Sequence, residues 1–185
     1  MINDVLNETR VEMQKSLESL SNDLSGIRTG RASASLVEKI RVNYYDMPTP
    51  MQQLALISVP EAQLITIRPY DPSAIKNIER AILQSDLGIT PNNDGKLIRL
   101  QIPSLTEERR KTLAKQVHAR VEDARVSIRN HRRDGLEYLR ELEKEKEIAE
   151  DDFYNGKDKL QDLTNESIKK ADGIGKTKEE EIMSI

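Results

Sequence analysis

Residues 106–146 read TEERRKTLAKQVHARVEDARVSIRNHRRDGLEYLRELEKEK, and the architecture of this 185-residue chain can be worked out from that segment. Thr106 can cap a helix, and Glu107 and Glu108 suit the positive end of its dipole. At 100° per residue, a set of apolar side chains lies within about 60° of one line: Leu113, Val117, Val121, Ala124, Ile128, Leu139 and Leu142. A helix from Thr106 to about Lys146 would be roughly 60 Å long, which predicts an elongated protein rather than a small globule.

Two other segments carry apolar stripes with helical spacing. The first predicts a helix from about Asn3 to Ile27, ended near Gly30 as a cap, with the stripe Ile2, Leu6, Thr9, Met13, Leu17, Leu20, Leu24 and Ile27. The last predicts a third helix with the stripe Phe153, Leu160, Leu163, Ile168, Ala171, Ile174 and Ile182. Gly156, Gly173 and Gly175 should each weaken that helix by about 1 kcal/mol, so its ends are expected to fray. Three long helices that bury their stripes together form a three-helix bundle.

Between the first two helices the sequence changes to short β-prone runs. Alternating or continuous apolar residues predict strands at residues 39–44, 54–59, 64–68 and 96–101. The two prolines of Met47–Pro50 predict a loop. Asp71-Pro72 predicts the start of a short helix that buries Ile75, Ile78 and Ile82 and closes near Gly88. The sequence NNDG at 92–95 predicts a hairpin turn.

The predicted fold class is therefore α+β: an elongated three-helix bundle with a small inserted β/α/β domain. The bundle comprises residues 1–30 and 105–185, and the insert comprises residues 31–104. The chain enters the insert at Thr29, Gly30 and Arg31 and leaves it at Pro103, Ser104 and Leu105. Two short connections side by side predict a hinge on which the insert swings, and the alternative is a rigidly docked insert.

Composition excludes several classes of function. The chain has no cysteine, so it has no disulfide and no thiol nucleophile. Its N-terminus lacks the pattern of a secretory or organelle-targeting segment, and no apolar run is long enough to span a membrane. These observations predict a cytoplasmic protein without a membrane partner.

The motifs of catalysis are also missing. The sequence GIGKT at 173–177 resembles the end of a phosphate-binding loop, but Lys170 stands where the full motif needs glycine. His118 and His131 would lie about 220° apart around a continuous helix, so they cannot share a metal. We therefore expect no catalytic residue, no metal, no cofactor and no enzymatic activity.

The charge of the long helix is the most informative feature. The chain carries a net charge of −3, yet residues 109–133 hold nine lysines and arginines against two acids. Arg125, Arg129 and Arg132 fall about 40° to 100° to one side of the buried line, and Arg133 lies slightly farther round. Guanidinium groups bind phosphates bidentately, and with only 3% aromatic residues an RNA partner would be bound through its folded backbone rather than by base stacking. The alternative is a solvated face whose arginines pair with Glu137 or with acids of a neighbouring helix.

A series of motifs along the whole chain resembles the ribosome recycling factor family. They are LSGIRTGRAS (24–33), PTP (48–50), ISVPEA (57–62), IKNIERAI (75–82), SDLG (85–88), NDG (93–95), LTEERR (105–110) and IRNHRRD (128–134). Several motifs in register are more specific than any one alone. The chain departs from the family pattern at Tyr70, often tryptophan, at Gly135, often alanine, and at Ala149, often a serine cap. We expect these departures to affect local stability rather than function.

The resemblance implies a two-domain, L-shaped protein of the size of a tRNA. It implies that the chain, with elongation factor G and GTP, promotes dissociation of the post-termination ribosomal complex and releases ribosomes from mRNA. The implied partners are the large ribosomal subunit with its rRNA, the 70S ribosome and GTP-bound elongation factor G, and the chain is expected to be a monomer. Carried over to matching positions, the implied rRNA-binding residues are Arg132 and Arg129, with Arg28, Arg31, Arg110 and Arg133.

Two other classes of function remain open at this stage. A coiled-coil scaffold or chaperone-like protein would need only the bundle, and its arginines would be surface charge. An RNA-processing enzyme would have to turn over RNA by itself.

Overall fold

The computed structural model describes residues 1–27 and 29–184. In order, its helices and strands are α1 (Ile2–Ser25), β1 (Arg41–Tyr44), β2 (Met47–Pro50), α2 (Met51–Leu54), β3 (Ala55–Glu61), β4 (Leu64–Pro69), α3 (Ile75–Gln84), β5 (Asn92–Asn93), β6 (Ile98–Gln101), α4 (Glu107–Lys144) and α5 (Glu150–Met183). They form two compact units. One contains Met1–Ile27 and Glu108–Ser184, and the other lies within residues 29–107. The predicted α+β class, with long helices and a small sheet-containing part, is confirmed.

Helix α4 buries the stripe that its sequence predicts. All the predicted positions are buried, and Ile128 and Leu139 are 0% exposed. Gly135 is an additional buried position, which the apolar pattern did not include. A β-carbon added at Gly135 would lie 2.7 Å from Thr9 Oγ1 of α1. Position 135 departs from the family pattern, and glycine there leaves room for the side chain of Thr9.

Helix α1 packs against α5, and most of its predicted stripe is buried. The prediction that Gly30 caps this helix is wrong. The helix ends at Ser25, and Gly26 is the cap, with a right-handed φ of −77°. Gly30 does have a left-handed φ of +69°, but it lies in the following turn, where a β-carbon would come within 3.2 Å of Leu105 Cγ. The sequence indicated a position that requires glycine. Gly30 is needed there for its close approach to Leu105 rather than as a helix cap.

Helix α5 is continuous to Met183 and differs from its predicted stripe. Ile168 and Ile174 are only half-buried, whereas the small residues Gly156, Thr164, Ser167 and Gly175 are buried. A β-carbon at Gly156 would lie 2.8 Å from Leu139 Cδ1 of α4. Large side chains of α4 therefore occupy the space that small residues of α5 leave. This packing offsets the low helix propensity of the glycines, and the expected fraying is not seen up to Met183.

Gly173 and Gly175 provide a matched test of this packing. At Gly175 a β-carbon would lie 2.5 Å from Cγ2 of Val121, whereas at Gly173 nothing lies within 4 Å. Both alanine variants gain about 1 kcal/mol of helix propensity, but only Gly175→Ala adds an overpacking cost of about 1–3 kcal/mol. We expect Gly173→Ala to raise the free energy of unfolding. The free energy of unfolding of Gly175→Ala should be about 1–3 kcal/mol lower than that of Gly173→Ala in urea titrations followed by circular dichroism. Equal stabilities of the two variants would contradict the close approach of α5 to α4.

The second unit contains two sheets and helix α3. Strands β1 and β2 form an antiparallel hairpin, and the other four strands form an antiparallel sheet in the order β3-β4-β6-β5. Helix α3 buries Ile75, Ile78 and Ile82, as its spacing predicts. Asp71 caps the preceding short 3-10 turn through Ser73 N–H. The core of this unit also takes up fully buried side chains from both sheets, among them Val42, Ile65, Ile67, Ile98 and Leu100.

The predicted loop at Met47–Pro50 is wrong, because these residues form strand β2. Tyr44 pairs with Met47 across a two-residue turn, and both turn residues, Tyr45 and Asp46, have positive φ. In a hairpin of this kind, the residues that flank the turn exchange hydrogen bonds, and hydrogen-bonded positions then alternate along each strand. Pro48 and Pro50 fall on the other positions, where no backbone N–H is needed for pairing with β1. The spacing of the prolines, two residues apart, is therefore compatible with an edge strand.

The predicted hairpin turn is present but shifted: Asn92 and Asn93 form β5, and the turn at residues 94–97 is organised by Asp94. Asp94 Oδ1 accepts the backbone N–H groups of Lys96 and Leu97 at 2.9 Å each, and Oδ2 accepts Arg99 Nη1 at 2.8 Å. Gly95 has a φ of +90°, which a side chain would strain. The hydrogen bonds from Leu97 and Lys96, with that from Arg99, lower the pKa of Asp94 to about 2.

We expect the stability of the chain to depend on pH partly through Asp94. Its pKa of about 2 in the folded chain lies below the ordinary value of 3.8, so its stabilising effect is complete above the ordinary value and is lost as the pH falls toward 2. Asp94→Asn should therefore be less stable than the wild type at neutral pH, and the difference should shrink on acidification through that interval. Urea unfolding at several pH values measures the difference. If the difference in stability between Asp94→Asn and the wild type stays constant down to the pKa of Asp94 in the folded chain, the charge of this carboxylate does not contribute to stability.

The two chain segments at the base of this unit are tied to the same turn. Ala32 N–H donates to Ala62 O at 2.7 Å, and Ile102 N–H donates to Gln63 O at 2.7 Å. The Gln63 side chain also donates to Ser104 Oγ at 2.8 Å. The entering and leaving segments are therefore held at adjacent residues of the β3–β4 turn.

Across residues 1–27 and 29–184, no helix combines the length and the apolar character needed to cross a lipid bilayer.

Candidate nucleic-acid interface

Arg125 and Arg132 of α4 lie on the side of the helix that faces α5. Arg125 donates to Asp172 of α5, with Nε 2.8 Å from Oδ1, and Arg125 Nη1 lies 3.0 Å from Glu122 Oε2. The hydrogen bonds that Arg125 donates to Asp172 and Glu122 raise its pKa. Since both carboxylates already pair with this guanidinium, Arg125 serves mainly to join α4 to α5.

Arg132 has a different environment. It is half-buried, and Nη1 donates to Gln161 Oε1 of α5 at 2.9 Å. Gln161 in turn donates to Asn165 Oδ1 at 2.9 Å, which fixes the orientation of its amide. This chain of neutral amides orients the guanidinium without neutralising it. Among the described residues no acidic side chain forms an ion pair with Arg132, which thus presents a positioned positive charge.

Arg129 and Arg133 are both exposed on the same helix. Arg129 Nη1 lies 3.6 Å from Glu122 Oε1, which is a loose ion pair between side chains that are 47% and 54% exposed. Such exposed pairs contribute little and are easily exchanged for another anion. Arg133 has no ion-pair or hydrogen-bond partner in the described part of the chain. Arg129, Arg132 and Arg133 therefore form a cationic surface, which we call the α4 arginine cluster.

The structure separates the two interpretations of these arginines residue by residue. Pairing with acids accounts for Arg125 and in part for Arg129. It does not account for Arg132, whose partner is an amide, or for Arg133. The expected pairing with an acid of a neighbouring helix is found at Asp172 of α5, and Glu122 of α4 takes the place of the expected Glu137.

The other predicted rRNA-binding residues do not lie in the α4 arginine cluster. Arg110 is on the same helix but nineteen residues before Arg129, about 28 Å along the axis. It is half-buried, and its buried Nε has no hydrogen-bond partner among the described residues. Arg31 is exposed and belongs to the other compact unit. Arg28 lies outside the described residues.

The two histidines have separate surroundings. His118 Nε2 lies 3.5 Å from Glu179 Oε1, and His131 Nε2 lies 3.4 Å from Ser127 Oγ. Among the described residues, no group of three or more histidine and acidic side chains could hold a metal ion.

Sequence reasoning missed the residues of α5 that position the arginines. Gln161, Asn165 and Asp172 are spaced by four and seven, so they lie on one side of α5. That spacing of polar residues was a readable signal. What the sequence did not indicate is that this side of α5 faces the arginine-bearing side of α4.

Fold and charge together define a class of protein: a bundle of long helices, interrupted by a small sheet-containing unit, with arginines gathered on one side of its longest helix. The family model described as ribosome recycling factor matches residues 20–183. Ribosome-recycling factors of Chloroflexus aurantiacus and Geobacillus kaustophilus are 50% and 52% identical to this chain, with full coverage of both chains in each comparison. The chain belongs to the ribosome recycling factor family.

Solved structures agree with this assignment. The solution structure of a ribosome recycling factor is 40% identical, with a TM-score of 0.80, and the match covers 100% of this chain and 98% of the other. A second match is a structure of the T. thermophilus ribosome recycling factor with the E. coli elongation factor G bound to the E. coli post-termination complex. It has 41% identity and a TM-score of 0.68, and it covers both chains completely.

Proposed function

We propose that this chain, with elongation factor G and GTP, promotes dissociation of the post-termination ribosomal complex and releases ribosomes from mRNA. The observation that carries the proposal is the full-length similarity to ribosome recycling factors, one of which is bound with elongation factor G to a post-termination complex. The chain acts in the cytoplasm as a binding factor and catalyses no reaction itself. The GTPase supplies the free energy.

The α4 arginine cluster is the proposed anchor on large-subunit rRNA. Arg132 is the central contact, since Gln161 orients its guanidinium without neutralising it. Arg129 and Arg133 add exposed charge beside it. Arg110, Arg31 and Arg28 are proposed as further rRNA contacts outside the cluster. Phosphate binding by several arginines should make the affinity for the ribosome fall steeply with salt.

The proposed action is mechanical. The helical unit, residues 1–30 and 105–185, holds the ribosome, and the insert, residues 31–104, transmits a push from the GTPase. The proposed hinges are residues 29–31 and 103–105. Ala32 and Ile102, which adjoin the two hinges, are bonded to neighbouring residues of the β3–β4 turn, and this supports the role because adjacent connections can bend together.

Light scattering of post-termination ribosomes tests the proposed function. The purified chain with elongation factor G and GTP should lower the scattering as subunits separate, and omission of any one of the three should abolish the change. If the folded chain has no effect on the scattering, the proposal is wrong, and a scaffold function becomes the better explanation. Degradation of RNA by the chain alone would instead indicate an RNA-processing enzyme.

The proposed hinge can be tested separately, because the chain has no cysteine that would compete for labels. Glu8 on α1 and Lys96 in the β5–β6 turn are exposed and suitable for replacement by cysteine. Energy transfer between dyes at the two positions should change when ribosomes and elongation factor G are added. A single unchanged transfer efficiency would favour a rigidly docked insert.

A further inference from the structure

A polar pocket of about 470 Å³ lies in the second unit, between the β1–β2 hairpin and α3. From the hairpin it is lined by Arg41, Asn43 and Asp46. Arg41 and Asn43 alternate with the buried Val42, so both point away from the core. The hairpin therefore presents its polar face to this pocket.

Helix α3 supplies the other wall with a second stripe of side chains. Asn77, Arg80 and Gln84 are spaced by three and four, so they share one face of the helix. This face is distinct from the one that buries Ile78 and Ile82. The pocket thus has a guanidinium on each wall.

Charge and pairing indicate that the pocket takes an anion. Asp46 is the single acid among its lining residues, against two arginines. Neither Arg41 nor Arg80 has a hydrogen-bond or ion-pair partner in the described part of the chain. By contrast, Arg99 of the same unit pairs with Asp94 at 2.8 Å. Two exposed, unpaired guanidiniums facing one pocket form a fork suited to phosphate oxygens.

The remaining lining residues favour RNA over a protein partner. No aromatic side chain lines the pocket, although aromatic anchors are typical of protein interfaces. The amides of Asn43, Asn77 and Gln84 can both donate and accept hydrogen bonds. An RNA backbone offers phosphates next to ribose 2′-hydroxyls, which matches guanidiniums next to amides.

We propose that this pocket binds a phosphodiester of folded RNA through Arg41 and Arg80, with amide contacts to the adjoining riboses. It gives the inserted unit an RNA contact of its own, additional to the α4 arginine cluster. The inference deepens the proposed function, because it adds a second site for the same class of ligand.

The test uses the full chain carrying Arg129→Gln, Arg132→Gln and Arg133→Gln, so that the α4 arginine cluster contributes little. In that background, Arg41→Gln with Arg80→Gln is compared with Arg68→Gln and Lys96→Gln. The second pair removes the same charge at exposed positions of the same unit outside the pocket. Fluorescence anisotropy measures the affinity for a short labelled RNA hairpin at several KCl concentrations.

Loss of the pocket arginines should weaken RNA binding roughly tenfold and reduce the salt slope by about 2, while the control pair changes the affinity much less. In the wild-type chain, the Nε–Hε NMR signals of Arg41 and Arg80 should shift on addition of the RNA hairpin. Equal losses in the two pairs, or unshifted arginine signals, would overturn the inference. So would signals that respond to inorganic phosphate or polyglutamate but not to RNA, which would indicate a free-anion or protein-carboxylate site. Because no ribosome or GTPase enters this assay, its failure is distinct from failure of ribosome splitting.

Discussion

Replacing Arg132 with glutamine is expected to weaken binding to the large ribosomal subunit by about ten- to a hundredfold. Hydrogen bonds to charged groups contribute about 1.5–3 kcal/mol, and a neutral amide cannot pair bidentately with a phosphate. Glutamine keeps helix propensity, so the fold should be unaffected. Sedimentation binding at several KCl concentrations measures the loss, and the same variant should split post-termination ribosomes less effectively.

Arg120→Gln is the matched control for this prediction. Arg120 is an exposed arginine of α4, about 120° around the helix from Arg132. It borders a groove toward α1, together with Lys15 and Asp23, rather than the side that faces α5. Its replacement should change ribosome affinity by no more than about twofold. If both variants bind equally weakly, the total charge matters and the α4 arginine cluster does not define a specific anchor.

Ile128→Ala is expected to destabilise the helical unit by about 2–5 kcal/mol, because it removes a large side chain from a filled core. Ile128 is 0% exposed and lies at the centre of the buried stripe of α4. A loss of this size is a large part of the stability of an ordinary domain. Urea unfolding followed by circular dichroism at 222 nm should show a lower transition midpoint.

Val126→Ala controls for the loss of an aliphatic side chain from α4. Val126 is 48% exposed, and alanine has the higher helix propensity, so its stability should stay within about 0.5 kcal/mol of the wild type. A similar loss in both variants would mean that α4 is weakened as a helix rather than by a cavity in the core.

The sequence predicted α4 well because one periodic signal ran through many residues. Each apolar position from Leu113 to Leu142 added to the same line, and no tertiary contact was needed to interpret it. Helix α5 was harder, since Gly156 and Gly175 are buried by side chains of α4 rather than by their own hydrophobicity. A search for apolar residues at helical spacing therefore does not identify these glycines as buried positions.

The hairpin shows a second limit of sequence reasoning. Prolines usually exclude a strand, and only the pairing register reveals that Pro48 and Pro50 avoid the positions that donate hydrogen bonds. The register depends on the turn at Tyr45 and Asp46, neither of which is glycine. Local preferences therefore pointed to a loop, whereas pairing with β1 gives a strand.

The candidate site was predictable in part. The arginines of α4 could be placed on one side of a helix from their numbers alone. The sequence could not show which of these arginines are neutralised, because Asp172 and Gln161 are 47 and 29 residues away from their partners Arg125 and Arg132. The pocket between α3 and the hairpin likewise needs two elements brought together by the fold.

The packing of α1 against α5 has a consequence for how the chain is made. The N-terminal helix finds its principal partner at the opposite end of the sequence, and Ser16 of α1 meets Ser127 of α4, 111 residues later. At about 5–20 residues per second, synthesis of the intervening chain takes on the order of 10 s. The second unit, with all its elements within residues 29–107, can fold during that interval. The part of α1 that packs against α5 stays uncovered until α5 has been synthesised, so the helical unit is completed after the second unit.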